Sequence, residues 1–128
     1  MDWNYERPQV PEGAHRIRVI SAKVAKSKAG NDMLALRFDV SGITTILSHY
    51  ITFLPDRPEL TNRLLTQFFD SFPDIPCGNF DFSQWIGKMG ACVVTKDRNN
   101  PARTRLYYFI SAADQDDLEP WQYPPFRG

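Results

Sequence analysis

Asp56-Arg-Pro-Glu-Leu-Thr-Asn-Arg-Leu-Leu-Thr-Gln-Phe-Phe-Asp-Ser-Phe72 is the stretch whose reading decides the fold. Leu60, Leu64, Leu65, Phe68, Phe69 and Phe72 recur at the three- and four-residue spacing of one helix face. Phenylalanines in that pattern are core plugs. Asp56 is placed to cap the helix, and Glu59, three residues later, to complete a capping box. The helix is predicted to end near Ser71 or Phe72, before Pro73.

Both flanks of this helix read as β-structure. Val10-Pro-Glu-Gly13 is a turn that admits a first strand over His15 to Lys28. Ile17 and Val19 set its apolar phase, then Ile20, Ala22 and Val24 take over, which predicts a bulge near Val19 and Ile20. Ser27-Lys-Ala-Gly-Asn-Asp32 is a hairpin turn. Leu34, Leu36, Phe38 and Val40 alternate with Ala35, Arg37 and Asp39 as a second strand, and Thr44 to Leu54 is a third of ambiguous phase. Downstream, Asp74 to Ser83 is an irregular loop. Ala91 to Lys96 and Arg103 to Ala112 are the last two strands, joined by the turn Asp97-Arg-Asn-Asn-Pro101. The expected fold is therefore mainly β, a five-stranded barrel with one α-helix between strands 3 and 4. That order is the oligonucleotide/oligosaccharide-binding (OB) architecture. Residues 1–112 form the domain, with 1–13 as an N-terminal extension, and 113–128 are a proline-rich tail.

A net charge of zero conceals strong alternation along the 128 residues. Residues 1–13 carry −2, 14–53 carry +4, 54–84 carry −3, 85–112 carry +4 and 113–128 carry −3. Both basic blocks fall on β-patterned segments. Cys77 and Cys92 lie far apart without a metal-binding spacing and read as buried free thiols. With only His15 and His49 available, no histidine metal cluster can be built. No apolar run reaches the ~18 residues of a membrane span, and the N-terminus lacks the pattern of a signal peptide. The expectation is a cytoplasmic protein with no metal or cofactor. Nucleotide-binding loops, nucleophile elbows and zinc-protease motifs are absent, so the expectation is also that it is not an enzyme.

The candidate site residues are cations and flat rings on strands, a combination that suits single-stranded nucleic acid. Strict alternation in the fifth strand puts Arg103, Arg105, Tyr107 and Phe109 on one face, with Lys96 and Arg98 across the hairpin. Lys26 and Lys28 flank the first hairpin tip, Arg37 is on the outer face of the second strand, and Lys88 follows Trp85. His49 and Tyr50 are neighbours, so one faces out. Tyr50 is the stacking candidate, a rim tyrosine of the core being the equal alternative, while His49 and Trp85 belong inside. In the tail, Asp116, Asp117, Trp121, Tyr123 and Phe126 suit a protein partner, or the chain's own basic face.

Val10-Pro-Glu-Gly-Ala-His-Arg-Ile-Arg-Val19, Lys26-Ser-Lys-Ala-Gly-Asn31, Met33-Leu-Ala-Leu36, Arg63-Leu-Leu-Thr-Gln-Phe68 and Trp85-Ile-Gly-Lys88, in that order, resemble a family of small phage and prophage proteins. These are OB-fold single-stranded DNA-binding proteins found near replication and recombination genes. The resemblance covers roughly residues 10–112. It implies sequence-tolerant binding of single-stranded DNA in replication or recombination; the tail, outside the resemblance, is the expected route to replication or recombination proteins. The chain departs from the family's pattern at Asp97-Arg-Asn-Asn-Pro-Ala102, where a glycine is usual. It also has two residues after Phe126, where acidic tails of general single-stranded DNA-binding proteins end on phenylalanine. The alternatives are a protein-interaction module working through its tail and a single-stranded RNA binder. One barrel covers only ~4–16 nucleotides, so self-association would help to coat a long strand.

Overall fold

A computed structural model describes Trp3 and residues 7–123 of the chain. Five strands, β1 (Gly13–Lys26), β2 (Asp32–Val40), β3 (Ile43–Thr52), β4 (Met89–Lys96) and β5 (Thr104–Phe109), form one antiparallel sheet. The helix α1 (Pro58–Ser71) lies between β3 and β4 in the chain. The sheet order is β3-β2-β1-β4-β5, so β3 and β5 are its two edges and the sheet is open between them.

β1 is the shared strand. It pairs with β2 from Ile17 to Lys26 and with β4 from Gly13 to Arg18. The change of apolar phase in the sequence is a register shift between Val19 and Ser21. Ile17 and Val19 are buried before it, and Ala22 packs on the core after it. Val24, expected in the same apolar row, is exposed, in the part of β1 beyond its pairing with β4. The first hairpin closes as read, with Ser27 and Asn31 paired through their backbone and Gly30 at φ +85°. In β3 the ambiguity of phase is resolved: Leu47 and Ile51 point inward with His49, while Ser48 and Tyr50 point out.

α1 closes the core with Leu65, Phe68, Phe69 and Phe72. The capping box does not form. A turn from Leu54 to Arg57 encloses Asp56, Arg57 becomes the N-cap without a side-chain bond, and Pro58 takes the first helical position. Thr61 ties the helix to the end of β3: its Oγ1 donates to the Thr52 carbonyl at 3.2 Å and accepts the Leu54 N–H at 3.1 Å. Trp85 is fully buried against Phe68, and its Nε1 donates to the Asn79 carbonyl at 2.8 Å. Cys92 is buried, and burial pushes its thiol up to about 12. Cys77 is exposed, contrary to expectation, because it sits in the irregular loop beyond α1.

Candidate nucleic-acid interface

The open edges of the sheet face each other. His49 of β3 meets Phe109 of β5 edge-on, with ring centroids 5.5 Å apart. Two grooves lie along this seam. The first, about 470 Å³, is lined by Arg7, Arg37 and Arg103 together with Thr44, Thr45 and Ser48. The second, about 210 Å³, is lined by Tyr50, Arg105, Tyr107 and Tyr108, together with His49, Leu64 and Phe109. The grooves are adjacent in the chain on both edges, through Ser48 to Tyr50 on one and Arg103 to Tyr107 on the other. Among the described residues, no acidic side chain lines either one.

The rings in the seam are held open by a bulge in β5. Val93 pairs with Tyr108 and Val94 with Leu106, which leaves Tyr107 as the extra residue. Both tyrosines therefore stay on the surface, 61% and 46% exposed, with their rings 5.4 Å apart. The same bulge corrects the expectation for Phe109. Alternation put it beside Arg105 and Tyr107, but the extra residue turns it inward, where it is 7% exposed against Phe38, Phe68 and Phe72. It is a core residue and offers no stacking face. Tyr108, expected on the opposite face, is the exposed ring there instead.

Arg37, Tyr50, Arg103, Arg105 and Tyr107 are thus brought together as read from the sequence. Tyr50 is 56% exposed, opposite Ala35. Arg7 joins them from outside the expected set. The segment before β1 runs beside the start of β5, where Gln9 Oε1 accepts the Thr104 N–H at 3.0 Å and Thr104 Oγ1 donates to the Val10 carbonyl at 2.6 Å. Other candidates lie elsewhere. Lys26 is held by Asp32 at 2.6 Å and lines a separate groove with Phe53 and Pro58. Lys28, Lys96 and Arg98 are exposed at hairpins outside the seam, and Lys88 bonds through its backbone to Val19 and Trp85. His49 is inside, as expected. Burial first, and the nearby Arg105 guanidinium second, lower its imidazole to about 4, so it is neutral at physiological pH.

The described part of the tail, residues 113–123, docks on β1 and on the turn between β2 and β3 and lines neither groove of the seam. Gln115 is its root: Nε2 donates to the carbonyls of Ser71 and Ile110 at 2.9 and 2.8 Å. Arg16 donates to the carbonyls of Gln115, Leu118 and Glu119. Gln122 clasps the turn, its N–H reaching Ser41 Oγ and its carbonyl accepting the Gly42 N–H at 2.7 Å. Arg18, bridged to Asp39 at 2.9 Å, lies over Trp121 and Tyr123 at 5.1 and 5.5 Å from their ring centres. Among the described residues, Asp116, Asp117 and Glu119 form no ion pair. Phe126 lies outside the described residues.

No group of three or more metal-ligating side chains occurs among the described residues, and no helix there is long and apolar enough to cross a membrane. Compared with known protein-family models and with curated proteins, the sequence matches none.

Proposed function

We propose that this chain is a non-enzymatic binder of single-stranded nucleic acid, DNA before RNA, and that the β3–β5 seam is its binding surface. The carrying observation is the continuity of three arginines in one groove with three tyrosines and a fourth arginine in the next. Arginines meet phosphates as a planar fork, and exposed rings stack on bases of any sequence. The architecture is OB-like in this reading. Its strand order and the helix between β3 and β4 support it, as does the approach of the two edges at His49 and Phe109. The resemblance of residues 10–112 to the phage and prophage proteins points the same way and suggests a role in replication or recombination.

The test is fluorescence anisotropy of a labelled oligo-dT across a salt titration, with oligo-U alongside. Four arginines on single-stranded phosphates give a log–log slope of about −3, and Arg103→Ala reduces it by ~0.7. No binding at low salt, or a flat response to salt, overturns the reading. A second reading, protein contact through the tail, is favoured by Asp116, Asp117 and Glu119, which form no ion pair among the described residues. Under it, neutralising those three abolishes partner capture, and no oligonucleotide binds the intact chain.

A further inference from the structure

We infer that Tyr123, seated on Arg18, is a second nucleobase-stacking platform that extends the seam, so that the tail is part of the binding surface and not a cover over it. This rests on the nucleic-acid reading of the seam.

Three observations carry it. First, the manner of docking is wrong for a cover. A tail that masks a phosphate site presents carboxylates to the body's cations. Here the body's arginine is engaged by three backbone carbonyls, and Asp116, Asp117 and Glu119 pair with no cation among the described residues. Among the described residues, no tail side chain bonds or pairs with a seam arginine. Second, the ring is preorganised. Arg18 is already neutralised by Asp39, so its guanidinium is spent on the ion pair and offers its flat face to the tail. Trp121 stands perpendicular to Tyr123 at 6.3 Å, and the Gln122 clasp fixes the backbone between them. Tyr123 nevertheless remains 71% exposed, more than any tyrosine of the seam. A ring held from behind by a cation and open in front loses little freedom when a base stacks on it.

Third, the position is continuous with the seam. Arg18 pairs with Asp39 across β1 and β2, and Asp39 and Arg37 are alternate residues on the same face of β2. Two residues along a strand is about 7 Å, so the Asp39 end of the ion pair beneath the platform lies one step along β2 from Arg37. A strand leaving the seam past Arg37 meets Tyr123 next.

The experiment compares Tyr123→Ala, Tyr123→Phe, Tyr50→Ala and Arg103→Ala in the full chain, using labelled oligo-dT of ~6 and ~20 nucleotides. The expected result is that Tyr123→Ala weakens the long oligonucleotide roughly five- to hundredfold and leaves the short one unchanged, while Tyr123→Phe binds as wild type. A Tyr123→Ala protein that binds the long probe as wild type, while Tyr50→Ala and Arg103→Ala weaken it, overturns the platform and leaves the seam standing. Tighter binding by Tyr123→Ala, or equal weakening at both lengths, also overturns it. If none of the variants weakens either probe, the seam reading fails and takes the platform with it.

Discussion

Gly90→Ala is the substitution whose cost the core geometry defines most directly. A methyl group at residue 90 meets Phe72 Cε1 and Cζ at 2.7 Å and Cδ1 at 2.8 Å. The Phe72 ring has nowhere to go. It lies 4.6 Å from the Phe68 ring, 5.9 Å from Phe38 and 6.0 Å from Phe109, and it is fully buried. The Gly90 backbone is ordinary strand, so no conformational strain adds to the clash, and replacing glycine in a strand would otherwise gain about 0.5–1 kcal/mol. Overpacking of this kind costs about 1–3 kcal/mol. For a domain of this size that lowers the thermal midpoint by roughly 3–10 °C. Chemical and thermal denaturation of Gly90→Ala, Phe72→Leu and the double variant complete a cycle. Because Phe72→Leu removes ring atoms that the new methyl strikes, the double variant is less destabilised than the sum of the singles. A Gly90→Ala protein as stable as wild type, or strict additivity, refutes the argument that Phe72 is locked in place.

Two further predictions concern the seam. His49 has a folded-state pKa near 4 against 6.5 when unfolded, so the unfolded chain binds the extra proton as the pH falls. The stability held by neutral His49 is complete above pH 6.5 and lost progressively down to about pH 4, by about 3 kcal/mol in full. Urea unfolding across that range is correspondingly less acid-sensitive in His49→Phe than in wild type; identical acid profiles would show that the imidazole is not buried. Phe109→Ala destabilises by about 3–5 kcal/mol, whereas Tyr107→Ala leaves stability nearly unchanged and weakens oligonucleotide binding. Calorimetry and anisotropy on the two variants separate the roles, and a reversal of the two would contradict the bulge.

The strands and the helix were legible because burial imposes its period on the sequence. Even the shift in β1 announced itself, since Ile17 and Val19 pass their phase to Ala22 across one extra residue. The bulge in β5 left no such trace: Tyr107, Tyr108 and Phe109 are all aromatic, so a change of phase alters no pattern of polarity. Arg7 was invisible for a different reason. It is placed by bonds from Gln9 and Val10 to Thr104, across more than ninety residues of chain. Lys26 carried a readable warning, because Asp32 sits opposite it across the hairpin and neutralises it. The chain's own basic face is one of two readings of the tail's sequence, but the manner of docking is not legible there. Backbone carbonyls, which every residue has, do the work of holding Arg16.

The double pairing of β1 has a consequence for how the chain reaches this state. β1, β2 and β3 form a meander of short loops, whereas the other edge of β1 pairs with β4, where Arg18 meets Met89. Closing so long a loop is entropically slow, and high contact order lengthens the wait. During synthesis the ribosome holds back β4 while β1 already presents an unpaired edge, a template for the wrong strand from another chain. Arg16, Arg18 and Lys23 stud that strand with like charge. Like charge on such an edge disfavours its pairing with a second copy; in the folded chain Arg16 and Arg18 anchor the tail.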